Sequence, residues 1–112
     1  MRNKYNARTC YVDGIKFSSK HEAERYFVLR YQEKRGEIEG LRLQVKYNLL
    51  PPQTYGKKKL REAEYIADFT YYRNGKLVVE DAKGYKDGTA YRLFKLKKKF
   101  MLYRYGLWVE EV

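Results

Sequence analysis

The chain has 112 residues, of which 44% are apolar, 17% aromatic and 35% charged. That length holds one domain with one core, the apolar share excludes a disordered tail, and the charged share demands a surface dense with ions. Lys and Arg number 25 against 14 Asp and Glu, so the net charge is +11, which points to a polyanionic partner, nucleic acid first.

No run approaches the roughly 18 apolar residues of a membrane span, so no membrane partner is expected. Met1-Arg2-Asn3-Lys4 opens on polar residues rather than a secretory apolar core, which predicts a cytoplasmic protein. A single Cys10 and a single His21 can form neither an internal disulfide nor a zinc site of the usual Cys/His kind. A bound metal would therefore need oxygen ligands, and no organic cofactor is expected. The 13 tyrosines suit base stacking and half-wet cores equally.

Residues 1–8 form a basic arm with Arg2, Lys4 and Arg8, readable either as a frayed terminus or as a DNA contact. Asp13-Gly14, between the β-prone runs Thr9–Val12 and Ile15–Phe17, predicts a tight hairpin. Ser19 as N-cap with Glu22 three positions on predicts a helix running to about Lys34. Its apolar face is read as Ala23, Tyr26, Phe27, the Arg30 stem and Tyr31, with Leu29 flanking. Period-two alternation over Leu41–Leu49 predicts a strand with one buried face, ended by Pro51-Pro52. Gln53–Arg61 reads as a loop, Glu62–Tyr72 and Lys76–Ala82 as strands joined by an Asn74-Gly75 turn, and Gly84–Gly88 as a second loop. Tyr91, Phe94, Lys98, Met101, Leu102 and Tyr105 recur at helical spacing up to Gly106, and Leu107–Val112 reads as a closing strand, with Trp108 expected to pack on the sheet. The order after the hairpin is helix, three strands, helix, strand, which predicts an α/β fold with a mixed sheet flanked by helices.

The chemistry concentrates on two successive strands. Side chains alternate along a strand, so Asp81 and Lys83 share one face while Glu80 and Ala82 point to the other. Asp68 on the preceding strand is positioned to lie across from that face. An Asp from each strand can hold a hard divalent cation, with the Ala82 backbone carbonyl as a further ligand. Lys83 would then stand beside the metal, placed to orient or deprotonate water or to neutralise a scissile phosphate. On a +11 protein this pattern points to metal-dependent phosphodiester hydrolysis. The competing reading is a set of cross-strand ion pairs on a solvated face.

Asp68 followed by Asp81-Ala82-Lys83, after a Glu-bearing helix and before a basic one, resembles the PD-(D/E)XK nuclease superfamily. Asn3-Lys4-Tyr5-Asn6-Ala7, Val12-Asp13-Gly14, Phe17-Ser18-Ser19-Lys20, Glu22-Ala23-Glu24-Arg25-Tyr26, Ala67-Asp68-Phe69 and Val79-Glu80-Asp81-Ala82-Lys83-Gly84 resemble, in that order, a small phage and prophage endonuclease group of DUF1064 type. Ala67 stands where the superfamily motif has Pro. The resemblance implies a restriction-endonuclease-like core of order αβββαβ, Mg2+ with Mn2+ as substitute, Asp68 and Asp81 as metal ligands, and Lys83 as the catalytic lysine. It also implies a helix glutamate in the acidic cluster. Glu22 fits that role, against its rival use in a capping box with Ser19 and against Glu24 as the alternative ligand.

Between Gly84 and Tyr105 lie Lys86, Arg92, Lys95, Lys97, Lys98, Lys99 and Arg104 against Asp87 alone. Arg92, Lys95, Lys98, Lys99 and Lys86, with Arg2 and Lys4 of the arm, are the expected phosphate contacts, and Lys95 or Lys98 the candidates to reach the active site. The expected function is a DNA endonuclease, probing backbone shape rather than sequence, of the kind that resolves branched DNA or Holliday junctions as a homodimer during phage replication or recombination. A general nuclease or nickase, and a non-catalytic nucleic-acid binder, are the alternatives.

Overall fold

A computed structural model describes residues 9–84 and 86–112. Arg2, Lys4 and Arg8 of the basic arm lie outside the described residues.

The chain opens with a hairpin of β1 (Cys10–Val12) and β2 (Ile15–Phe17), leading into helix α1 (Lys20–Lys34). Ser19 caps α1, its Oγ accepting the Glu22 N–H at 3.1 Å, which satisfies one of the orphan donors of the first turn. Strand β3 (Glu39–Leu50) follows, then a small hairpin of β4 (Gln53–Tyr55) and β5 (Lys58–Leu60), then β6 (Ala63–Arg73) and β7 (Lys76–Asp81). Asn74 (φ 52°) and Gly75 (φ 76°) both sit in the left-handed region that a two-residue turn between twisted strands requires. Helix α2 (Gly88–Tyr105) ends at left-handed Gly106, and β8 (Val109–Glu111) closes the chain.

The central sheet has the order β3-β6-β7-β8, antiparallel except for the parallel β7–β8 pair. It is a mixed sheet with a helix on each face, as the element order predicts. Val78 of β7 and Ala82 just beyond it pack in the α1 layer with Phe17, Tyr26, Leu29, Ile38 and Phe69. Leu77 and Val79 pack in the α2 layer with Tyr65, Ala67, Phe94, Met101 and Val109.

Four expectations need correction. Leu29 is fully buried, whereas Phe27 is 66% exposed and Tyr31 is also exposed, because α1 crosses the sheet on the Ala23, Tyr26 and Leu29 stripe. The stretch Gln53–Arg61 is no featureless loop but carries the β4–β5 ribbon, whose cross-strand bonds form without apolar cover. Trp108 is 56% exposed and lies under the Lys98 ammonium, 4.2 Å from ring centroid to Nζ.

The fourth concerns β3, whose odd positions stay the more buried along its length, as the alternation predicts, but are not covered by one layer throughout. Leu43 and Phe69, paired across β3 and β6, lie in the α1 layer, while the partners Tyr47 and Tyr65 lie in the α2 layer with Ala67. Positions of one parity therefore change sides between 43 and 47 on β3 and between 67 and 69 on β6. At the crossover Gln44 adopts φ 54°, a left-handed conformation that is rare for a side-chain-bearing residue.

Candidate active site

The crossover is where the acidic side chains gather. The β6–β7 ladder is last paired at Phe69 and Glu80. Beyond it Asp68 bonds through its side chain, Oδ2 accepting the Ala82 N–H at 2.9 Å. The strand β7 continues alongside the C-terminus instead, with Val112 N–H donating to the Asp81 carbonyl at 3.0 Å and Lys83 N–H to the Val112 carbonyl at 2.9 Å.

Asp81 is buried on the α2 side. Its Oδ2 accepts the Tyr65 hydroxyl at 2.6 Å and its Oδ1 faces Lys83 Nζ at 2.9 Å. Burial and the adjacent Asp81 charge raise the Tyr65 phenol above its ordinary value, so it remains a donor. Lys83 Nζ lies 4.0 Å from the centroid of Phe94, a cation–π contact that holds the ammonium against α2. Glu80, one residue earlier and on the opposite face, is buried among other partners: Arg25 grips it with Nε and Nη2 at 2.8 and 2.6 Å, and the Tyr71 hydroxyl donates to it. The alternation predicted for residues 80–83 therefore holds.

Glu22 reaches the same cluster from α1. Ser18 Oγ donates to its Oε2 at 2.8 Å, and Gln44 Nε2 donates to its Oε1 at 3.2 Å. The same Gln44 nitrogen donates to Asp68 Oδ1 at 3.2 Å. The Glu22 carboxylate thus serves the cluster, while the cap uses only the Ser19 side chain. Glu24 is exposed and faces Lys20 at 3.9 Å, away from Asp68.

Gln44 is the residue that sequence reasoning missed. In an alternating strand it reads as an ordinary solvent-facing polar position, and Gln carries none of the left-handed preference of Gly, Asn or Asp that could have marked the crossover.

Crowded charge shows in Asp68. Burial first, then the Asp81 and Glu22 charges, push its carboxyl up to about 7, against the opposing hydrogen bonds from Ala82 N–H and Gln44. A carboxyl raised above its unfolded value near 3.9 contributes stability that is fully present below about pH 4 and lost as pH rises through about 7. Asp68→Asn is therefore expected to stabilise the cation-free protein at pH 8 by about 2 kcal/mol, a Tm gain of roughly 10 °C, and to leave stability nearly unchanged at pH 4. Thermal melts in EDTA at the two pH values check this; equal shifts at both would contradict it.

A divalent cation suits the donor chemistry, since among the described residues three carboxylates lie in one region and Lys83 is the cation paired within it. Among the described residues, however, no three ligating side chains already close on one point. Both Asp81 oxygens are engaged by Lys83 and Tyr65, so a cation there must displace at least one of these contacts.

The cluster opens into two cavities. One, of about 400 Å3, is lined by Asp81, Lys83, Tyr65, Phe94 and Lys97 among others. The other, of about 490 Å3, is lined by Glu22, Gln44, Ser18 and Lys16 among others. Of the predicted phosphate contacts, Arg92, Lys95, Lys99 and Lys86 are exposed. Lys98 is the correction: it is buried against Trp108 and paired with Glu111 at 2.7 Å. Burial would push the Glu111 carboxyl up, but hydrogen bonds from Lys98 and Tyr91 hold it below its ordinary value. The lysine that reaches the Asp81 cavity from α2 is Lys97, on the same helical stripe as Ala90, Leu93 and Phe94.

No helix among the described residues is long and apolar enough to cross a membrane. Neither the curated proteins nor the solved structures contain a match to this sequence. The model of the family described as "Protein of unknown function (DUF1064)" matches residues 2–110, nearly the whole length, and the chain belongs to that family.

Proposed function

We propose that this protein is a Mg2+-dependent endodeoxyribonuclease with a restriction-endonuclease-like core, hydrolysing phosphodiester bonds in branched DNA such as Holliday junctions. The observation that supports it is the meeting of Glu22, Asp68 and Asp81 with Lys83 at the point where β7 parts from β6, beneath a strongly basic helix. Asp68, Asp81, Glu22 and the Ala82 carbonyl would hold the cation, with Mn2+ able to substitute. Bound there, the cation would supply Lewis-acid polarisation of the phosphate and a more acidic water.

The chain's own residues do the rest. Lys83, fixed by Asp81 and the Phe94 ring, opposes the charge that develops on the phosphate oxygens. Lys97 lends positive charge to the wall of the same cavity. Water attacks phosphorus, the bond to the 3′ oxygen breaks with a proton passing to that oxygen, and 5′-phosphate and 3′-hydroxyl ends result. Two copies acting as a homodimer would present two such centres to a junction. A cytoplasmic role in phage or prophage DNA replication or recombination fits this activity.

A second reading is favoured by one contact. Asp81 is fully satisfied by Lys83 and Tyr65, as in a purely structural ion pair of a nucleic-acid-binding module. Incubation of the purified protein with supercoiled plasmid and a synthetic four-way junction, in Mg2+ or EDTA, separates the two. The nuclease reading expects Mg2+-dependent nicking or resolution; binding without cleavage in both Mg2+ and Mn2+ selects the module.

A further inference from the structure

We propose that the β4–β5 ribbon is a docking element for double-stranded nucleic acid, seated in a groove of the duplex beside the carboxylate cluster. The inference deepens the nuclease reading, and rests on it for choosing nucleic acid over other polyanions.

Four observations carry it. From Gln53 to Arg61 the chain has four cations, Lys57, Lys58, Lys59 and Arg61, and no acid. None of the four has an ion-pair partner among the described residues. Residues 51–62 are exposed throughout, including Tyr55 at 79% and Leu60, so the ribbon adds nothing to either core layer and its composition answers to something outside the fold. The register pairs Tyr55 with Lys58 and Thr54 with Lys59, placing Gln53, Tyr55, Lys58 and Leu60 on one side and Thr54 and Lys59 on the other. Both sides of the ribbon therefore carry a cation, as an element flanked by two phosphate rows requires. The major groove of B-DNA admits a two-stranded ribbon of this width.

The ribbon is also held at a set distance from the cluster. Its base, Ala63, lies five residues along β6 from Asp68, about 17 Å at strand rise, or roughly half a turn of duplex. The last turn of α2 clamps the other leg: Arg104 Nη1 donates to the Leu49 carbonyl at 3.1 Å, the Tyr105 hydroxyl donates to the Asn48 carbonyl at 2.7 Å, and the Tyr47 and Tyr105 rings meet edge to face. Helix α2 thus lines the cavity at Phe94 and Lys97 and braces the ribbon about two to three turns later.

The test is equilibrium binding in EDTA by fluorescence anisotropy, using a labelled 25-base-pair duplex and the matching single strand. Lys57→Ser, Lys58→Ser and Lys59→Ser combined should weaken duplex binding about 30-fold at 0.15 M salt and lower the magnitude of the log–log salt slope by about 3. A charge-matched control, Lys34→Ser, Arg35→Ser and Lys76→Ser at the opposite end of the sheet, should lose less than about threefold. These residues are exposed, and unchanged circular dichroism verifies that both variants fold. Equal losses in the two variants, or an equal loss on single strand and duplex, would overturn the proposal. So would loss of binding to phosphatidylglycerol-containing vesicles with duplex binding intact, which would assign the ribbon to an anionic membrane. Because no cleavage is read, a silent ribbon beside a working nuclease overturns only the ribbon, and a ribbon effect in a protein that never cleaves overturns only the nuclease.

Discussion

Replacing Asp81 by Asn is expected to lower Mg2+-dependent cleavage of plasmid and junction DNA at least about 1,000-fold, roughly 4 kcal/mol of barrier. The reason is local. In the proposed site Asp81 is, among the described residues, the carboxylate that also fixes the ammonium of Lys83, so its loss would remove a ligand and release the charge meant for the phosphate. Lys83→Ala should cost about 100-fold, and Glu22→Gln an intermediate amount. Glu24→Gln, on an exposed residue of the same helix that faces Lys20, should change nothing. The fold should survive Asp81→Asn, because an Asn oxygen still accepts the Tyr65 hydroxyl, and circular dichroism checks that it does. Cleavage by the Asp81→Asn protein at the wild-type rate would mean that the activity comes from elsewhere.

The second large effect is on stability. Arg25→Leu is expected to destabilise the protein by about 3–5 kcal/mol, a large part of what a domain this size has. Glu80 is only 2% exposed, and Arg25 supplies both of its cationic hydrogen bonds. Its Tyr71 partner, whose phenol burial and Glu80 push up to about 12, brings no positive charge. The double variant Arg25→Leu with Glu80→Gln should recover most of the loss, since a neutral amide can keep the Tyr71 contact without a buried charge. Urea titrations in EDTA measure both. A loss below about 1 kcal/mol for the single variant would mean that water reaches Glu80 and that the pair behaves as a surface one. The pair also bears on the site, because Glu80 is the last residue of β7 paired to β6 before Asp81.

Much of this architecture was legible. The Asn74-Gly75 turn, the Ser19 cap, the Gly106 stop and the helical spacing before it each rest on one local preference, and the structure has each element where that preference puts it. The shared face of Asp81 and Lys83 follows from alternation alone. What could not be read was tertiary. The crossover at Gln44 leaves the period-two pattern of β3 untouched, because apolar residues suit both layers equally. Lys98 has the helical position of a phosphate contact able to reach the active site, yet Glu111 and Trp108, from the chain after α2, hold its side chain beside Phe94 of its own helix; partners from another element are not encoded in helical spacing. The β4–β5 ribbon escaped because a run of lysines without apolar alternation carries no strand signal. Phe27 and Tyr31 misled in the opposite sense, being apolar residues at helical spacing that the actual crossing of α1 leaves outside.

The most direct test of the central claim is a Mn2+ titration followed by electron paramagnetic resonance of the bound and free ion. One saturable site per chain is predicted in the wild type, abolished by Asp68→Asn and by Asp81→Asn and retained in Glu24→Gln. Absence of a saturable site, or a site that survives both Asp substitutions, would contradict the account.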